Sequence, residues 1–313
     1  MRVLLTGATT PLGLELIERL LACDTTEAVL TVARDEVDTS RFGRDPRLHV
    51  DHADLTRERD VRTLMKGPVK DLKIDSIVHG PLHRSARDRG RNVHAMNVES
   101  TRSLLMRLQS HSTVRRFVYR SFSEVYKLED HLPTLIGENH PLEFSRNAPQ
   151  RVRDRVESDL SVCALQGMSP CSIAVLRCAE VLAPKSGSQL WDYLQSEVCL
   201  RPAGYNPIVN VASVQDIANA ICRALESDAQ GVFNVPGADT LPLAQLVSKF
   251  SKHSIPMPGP LIAPLYRLRT GLFRTEFRYD LNRARFHLNG VLDGRRAKEI
   301  LGYEPQYSAL PAV

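Results

Sequence analysis

The run Thr6-Gly7-Ala8-Thr9-Thr10-Pro11-Leu12-Gly13 lies between a short apolar stretch at 2–6 and apolar residues at helical spacing over 12–22. A glycine turn acquires chemical meaning from that setting, between a strand and a helix. Gly7 permits the sharp turn. Gly13 lets the helix pack close to the strand. The helix N-terminus points free N–H groups and the positive end of its dipole into the turn, which suits a pyrophosphate. Pro11 fits the first helical turn, where its missing N–H costs nothing. Thr10 puts a side chain in the middle of the turn, where it either crowds a diphosphate or donates its hydroxyl to it. Gly7, Thr9, Thr10, Pro11, Leu12 and Gly13 are therefore the expected phosphate cradle.

Outward from the turn, strands and helices alternate. Strands are predicted at 28–33, 47–50, 76–79, 116–119 and 172–176, with helices at 57–66, 93–108 and 149–165. Such alternation implies parallel strands with right-handed crossovers, an α/β fold with a doubly wound parallel sheet of Rossmann type. Beyond residue 180 prolines cluster (Pro184, Pro202, Pro207, Pro256, Pro258, Pro260, Pro264), with helices predicted at 214–225, 243–250 and 295–301 and a strand at 232–235. The expected organisation is a nucleotide-binding domain over 1–180 and mainly a smaller C-terminal subdomain over 181–313, interleaved with late sheet elements at 213–235.

Composition narrows the function classes. The 313 residues are 42% hydrophobic and 25% charged, ordinary values for a globular chain. No apolar run reaches the roughly 18 residues needed to span a bilayer. The start MRVLLTGATT lacks a signal-peptide pattern, which gives a cytoplasmic expectation. Six cysteines without C-x-x-C spacing argue against zinc and against a disulfide framework. Eight of the 41 basic residues are lysine, leaving 33 arginines. They reflect either genome composition or recognition of phosphate and carboxylate. Their spread along the chain argues against nucleic-acid binding.

Several short motifs occur in a fixed order: Ala53-Asp54-Leu55; Asp75-Ser76-Ile77-Val78-His79, leading into Gly80-Pro81; Asn97-Val98-Glu99-Ser100-Thr101; Ser121-Phe122-Ser123-Glu124-Val125-Tyr126; Gln215-Asp216-Ile217-Ala218; Phe233-Asn234-Val235; and Leu301-Gly302-Tyr303-Glu304-Pro305. In order and spacing they resemble an extended short-chain dehydrogenase/reductase of the NAD-dependent epimerase/dehydratase family, over nearly the whole chain. The resemblance implies an NAD(P) site that adds Asp54, Leu55, His79, Gly80, Pro81, Asn97 and Ser121 to the cradle, and a C-terminal substrate subdomain. Strand 28–33 is followed by Arg34, where the family places an acidic residue on the ribose 2′-hydroxyl. Arg34 either pairs with a 2′-phosphate, which leans towards NADP, or is a solvated arginine at a strand end.

The family's chemistry needs a tyrosine, a lysine four residues later, and a serine or threonine. The lysine lowers the phenol pKa from about 10. No Tyr-x-x-x-Lys pair exists in this chain, and neither residue type occurs between Lys127 and Lys185. Taking Glu157 as the acidic residue that follows the lysine by four puts Arg153 at the lysine position and Pro149 at the tyrosine position. Anchoring on Val125-Tyr126 puts Phe122 at the serine/threonine position. Losing a positioned acid/base costs about 10²–10⁴-fold in rate. Glu124, beside Ser121 and Ser123, is either a substitute acid/base or a structural hydrogen-bonding group. Arg151, Arg153 and Arg155 present either a basic surface near the cleft or a solvated face, with Arg153–Glu157 and Arg155–Asp159 at i,i+4 spacing. His79, His83 and His94 lack metal-ligand spacing, so no metal is expected.

Residues 260–273 carry Leu261, Leu265, Leu268 and Leu272 at helical spacing beside Arg267, Arg269 and Arg274. This is a lid or packing helix, or a basic amphipathic helix for a membrane surface. Val152, Val156 and Leu160 form either a homodimer face or an inward-packing face. Three functions follow: an NAD(P)-binding sensor, scaffold or regulator with degenerate catalytic residues; an active oxidoreductase, epimerase or dehydratase using atypical residues on a nucleotide-sugar or sterol/lipid-like substrate; or an interaction protein without cofactor.

Overall fold

The computed structural model describes residues 1–33, 45–81, 83, 88–109, 111–250, 252–273 and 276–311. Seven parallel strands form the central sheet: β1 Arg2–Thr6, β2 Ala28–Ala33, β3 Leu48–His52, β4 Ser76–His79, β5 Arg116–Phe122, β6 Ser172–Cys178 and β7 Gly231–Val235. Their order in space is β7-β6-β5-β4-β1-β2-β3. The winding reverses between β1 and β4, which pair through Val3–Ser76, Leu4–Ile77 and Leu5–Val78. A crevice opens beyond the carboxyl ends of strands at such a reversal.

Alternation along each strand builds two cores. Val3 and Leu5 of β1 pack with Leu16 and Ile17 of α1 (Pro11–Ala22) on one face. Leu4 packs on the other with Leu64 of α2 (Glu58–Lys66) and Leu104 of α3 (Ser100–Leu108). Helix α4 (Gln150–Cys163) lies against this second side and reaches the sheet's upper edge. Helices α5 (Val214–Glu226) and, later, α7 (Arg295–Leu301) cover the first face, and β7 completes the sheet between them in sequence.

Two elements depart from their sequence spacing. β5 runs three residues beyond 119, because Arg120, Ser121 and Phe122 stay in register with Leu176, Arg177 and Cys178. The helix leading into α3 contains a π turn at Ala95–Glu99. Ser100, at its end, donates its hydroxyl to the Met96 carbonyl at 2.7 Å.

The smaller C-terminal body is made of short ribbons. Ile208–Ala212 pairs antiparallel with Asp239–Pro242 and parallel with Glu180–Val181, and Val198–Pro202 pairs in parallel with His253–Met257. Its core is aromatic, with Tyr193 and Phe286 rings 4.9 Å apart and Tyr266 and Phe277 rings 4.8 Å apart. Helix α6 (Gly259–Phe273) enters that core through Ile262 and Tyr266, while Leu261, Leu265, Leu268 and Leu272 stay exposed. The four leucines thus mark its outer face, and the helix packs by the residues between them. No described helix is long and apolar enough to cross a membrane.

Candidate functional site

A cleft enclosing about 620 Å³ opens beyond β1, β4 and β5, with Gly7, residues 10–13, Gly80, Pro81 and Arg120 on one side and Val181 and residues 183–186 on the other. Gly7 has φ +75°. A Cβ on Gly13 would lie 2.4 Å from the Gly7 carbonyl oxygen, so only glycine lets α1 seat on the turn. The Thr10 hydroxyl accepts the Gly13 N–H at 3.0 Å and donates to the Gly7 carbonyl at 2.8 Å. It is 5% exposed and caps α1, so it is committed to the turn. The first turn of α1 has no acidic residue, which leaves the helix dipole uncompensated. A close-packed glycine turn and an uncompensated helix N-terminus at the winding reversal fit a diphosphate.

The other residues assigned to the cofactor take varied places. His79 is buried, with Nδ1 2.9 Å from Thr6 Oγ1 and Nε2 3.0 Å from Thr101 Oγ1. Burial pushes its pKa down to about 3, so it is a neutral brace joining β1, β4 and α3. Asn97 accepts the His83 N–H at 2.9 Å through its side chain, and its carbonyl accepts the Thr101 and Ser158 hydroxyls. Asp54 accepts the backbone N–H and the hydroxyl of Thr56 at 3.0 and 2.6 Å, closing the turn before α2, and Leu55 is buried in the core beneath it. The Ser121 hydroxyl donates to Asp159 at 2.5 Å inside the protein. Arg34 lies outside the described residues.

The end of β5 holds an arginine cluster. Glu124 sits in the 3₁₀ turn Ser123–Val125 with its side chain 2% exposed. Its Oε1 lies 2.7 Å from Arg151 Nη2, and Arg155 Nη1 pairs with its Oε2. Arg151 also donates to Asn282 Oδ1 at 3.0 Å, and Arg155 to the Gly187 carbonyl at 3.1 Å. Burial alone would raise the Glu124 pKa. Arg151, Arg155 and the more distant Arg285 overcome it and hold the carboxyl down to about 2. Phe122 is stacked between guanidiniums, Arg155 Cζ at 3.5 Å and Arg120 Cζ at 3.7 Å from the ring centroid.

The residues picked out by the register read from Glu157 take different places, with Pro149 at the cavity beside Glu124 and Arg153 on the outside. Pro149 is the N-cap of α4, and the exposed Arg153 folds back to donate to the Ala148 carbonyl at 2.8 Å. Glu157 is half exposed and pairs with Arg102 at 2.8 Å. Two residues further along, Arg151, Arg155 and Asp159 are buried at i, i+4 and i+8. The basic face is therefore split: Arg153 is solvated, and Arg151 and Arg155 point inward. Neither expected i,i+4 pair forms, because Arg155 takes Glu124 and Arg177 takes Asp159. The signal was present in sequence, since buried Val152 and Val156 put 151, 155 and 159 on the inner side of one helix. Leu160, by contrast, is exposed.

Beneath the cluster lies a network missed from the sequence. Arg177 holds Asp159 bidentately at 3.0 and 2.6 Å and reaches the Tyr126 hydroxyl at 3.2 Å. Tyr126 donates to Asn234 Oδ1 at 2.6 Å, and burial pushes its phenol up to about 12. With Ser121, which donates to Asp159, its five members come from β5, the loop after it, α4, β6 and β7, so no local motif announces it.

Two cavities adjoin the cluster. One of about 670 Å³ beside Ser123 is lined mainly by apolar side chains, including Leu128, Leu190, Leu243 and Phe286, with Asn282 and Arg285 at its edge. The other, about 720 Å³, is bounded by Glu124, Tyr126, Arg151, Arg283 and Arg285. His94, Asp154 and Glu157 bring ligand atoms within 4.8 Å of one another and could hold a cation. Spacing did not show this set, because His94 comes from a different helix from the two carboxylates.

Sheet order, glycine turn and crevice define a doubly wound α/β protein of Rossmann type. Residues 3–235 match the NAD dependent epimerase/dehydratase family, and the chain belongs to that family. An uncharacterized Mycobacterium tuberculosis protein is 27% identical over 99% of this chain and 81% of its own length. Among solved structures, UDP-glucuronic acid 4-epimerase from Bacillus cereus, in complex with UDP-glucuronic acid and NAD, superposes with TM-score 0.73 at 15% identity, over 99% of this chain and 95% of its own. The dTDP-glucose 4,6-dehydratase of Streptomyces venezuelae, with NAD bound, gives 0.72 at 20% identity, over 98% and 93%.

Proposed function

We propose that this protein binds NAD(P) in the crevice between β1 and β4 and works there as a non-catalytic sensor or scaffold. The observation that carries the reading is the side-chain set at the cleft end of β5 and α4. Buried Arg151 and Arg155 are pinned on Glu124 around Phe122, in the place where a proton-transferring group would have to face a substrate. A bound dinucleotide would supply hydride chemistry. Gly7, Gly13 and the α1 N-terminus would hold its diphosphate, and Arg34 is assigned to a 2′-phosphate, favouring NADP.

Proton transfer needs a group whose pKa lies near the working pH. Glu124 at about 2 stays ionised between its two arginines, hydrogen-bonded to Arg155 through Oε2 and ion-paired with Arg151 through Oε1. Arg155, lowered to about 10 by burial, stays charged at neutral pH. Tyr126 keeps its proton up to about 12 and spends its hydroxyl on Asn234. Of the adjoining cavities, the one beside Ser123 is mainly apolar and the other is lined by charged side chains of both signs, a pair that suits a nucleotide-sugar or lipid-like second ligand. Calorimetric titration with NAD, NADH, NADP and NADPH should give micromolar or tighter binding. The loaded protein, incubated with UDP-glucose, UDP-glucuronic acid or dTDP-glucose, should show no change in nicotinamide absorbance and no keto-sugar by mass spectrometry. Multiple turnovers of any of these sugars would overturn the non-catalytic role. Absence of dinucleotide binding up to millimolar concentration would leave an interaction protein without cofactor.

A further inference from the structure

We infer that the crevice selects the reduced dinucleotide over the oxidised one and that Arg120 makes the selection, an inference that rests on the dinucleotide reading of the crevice. In a doubly wound sheet the diphosphate lies at the N-terminus of α1 and the adenosine ribose at the end of β2. The nicotinamide half then runs the other way, over the ends of β4 and β5. Arg120 stands there, lining the crevice next to Gly80 and Pro81. It is 9% exposed, and its Nε has no hydrogen-bond partner.

The nearby carboxylates Glu124 and Glu180 attract Arg120 through space, but each lies closer to other arginines. Glu124 is held by Arg151 and Arg155, and Glu180 lies 3.4 Å from Arg285. Arg120, Arg151 and Arg155 against Glu124 leave two positive charges in excess around Phe122. Burial opposes the charge on Arg120 and lowers its pKa.

Oxidised nicotinamide is a cation and reduced nicotinamide is neutral, while the rest of the molecule is the same. The diphosphate contribution therefore cancels in the comparison, and the ring charge remains. An aromatic face could have offset the repulsion by cation–π attraction. Phe122 cannot offer one, because a guanidinium occupies each face. Unit charges a few ångströms apart in a partly buried site interact strongly enough to change affinity by about tenfold or more.

The test uses the full-length protein and competition calorimetry with NAD, NADH, NADP, NADPH and ADP-ribose, which lacks the ring. The reduced form should bind about tenfold tighter than the oxidised one, and the oxidised form weaker than ADP-ribose. Arg120→Lys should keep the ratio, and Arg120→Met should bring it towards unity while both forms still bind. Equal affinity of the two forms in the wild type overturns the inference, as does a ratio that survives Arg120→Met. The wild-type comparison with ADP-ribose tests the selection by ring charge by itself, and where Arg120→Met fails to fold, Arg120→Gln tests the role of Arg120 in its place, a ratio that survives it overturning that role. Failure of all five ligands to bind would instead overturn the dinucleotide reading, and this inference with it.

Discussion

Replacing Glu124 by leucine should destabilise the protein severely while a triple replacement that removes its partners as well should not. Glu124, Arg151 and Arg155 all have side chains at most 6% exposed. Removing one member of a buried ion pair costs about 3–5 kcal/mol, because the remaining charge is left in a poorly solvating site. Here one carboxylate serves two guanidiniums, and Arg151 Nε and Nη1 already lack partners, so the upper part of that range applies. With about 2–4 °C per kcal/mol for domains of 150–250 residues, and less in longer chains, the melting temperature should fall on the order of 10 °C. Glu124→Leu/Arg151→Met/Arg155→Met exchanges the whole set for apolar groups, a change that is often neutral or stabilising by about 1–4 kcal/mol. It should recover most of the loss. Acid titration gives an independent arm. The folded carboxyl sits near 2 against an ordinary 4.5, so the unfolded chain binds more protons between those values and stability rises with pH there. The contribution is complete above 4.5 and is lost as the pH falls through about 2. Melts followed by circular dichroism, near neutral pH and along an acid series, read both arms. A Glu124→Leu protein within about 1 kcal/mol of wild type would show that the cluster is solvated and the reasoning wrong.

Thr10→Ala removes the cap of α1 and should cost about 0.5–2 kcal/mol, with weaker dinucleotide binding, in melts and calorimetry; an unchanged melt would deny the cap its role. Arg177→Met strands the buried Asp159 and should cost about 3–5 kcal/mol, read by denaturant midpoint. Asp192 is raised to about 7, chiefly by burial, so the folded chain holds an extra proton between 3.8 and 7 and its contribution falls as the pH rises through that window. Asp192→Asn should therefore gain stability relative to wild type above pH 7, and a difference independent of pH would refute it. Pro149→Tyr/Arg153→Lys should give no reduction of nicotinamide with dTDP-glucose, because position 153 is exposed and a lysine there lies away from the buried cluster, although position 149 lines the cavity beside Glu124; measurable reduction would support the register that starts from Glu157.

The sheet was legible because its strands are buried on both faces. Such strands read as continuous apolar runs, as Val3-Leu4-Leu5 and Val29-Leu30 do, between helices with clear spacing. The glycine turn was legible because it sits between β1 and α1. The destination of the Thr10 hydroxyl was not, since both of its bonds form within the turn. Glu124 was singled out in the sequence, but its arginine partners were not, because Arg155 was paired with Asp159. Charge spacing on α4 paired Arg155 with Asp159 along the helix, whereas the valines at 152 and 156 show which side is buried. For an amphipathic helix the apolar positions fix the inward face, and charges on that face then seek partners on other elements. The Arg177–Asp159 network and the two cavities beside the cluster were hidden for a simpler reason, since their members meet only in three dimensions.

The arginine cluster sits awkwardly with a purely structural role. Apolar side chains of similar volume would fill the same space without the desolvation penalty that three buried guanidiniums and one carboxylate carry. Unbalanced charge at that depth is tolerated where something else balances it, and the crevice is the open side of the cluster, with Arg120 at the boundary between them. A ligand bringing negative charge to the α1 N-terminus would relieve Arg120, whereas one bringing a positive ring would not. On the function and the inference proposed above, the same residues would both withhold a proton-transferring group and read the charge of what binds, as a sensor requires.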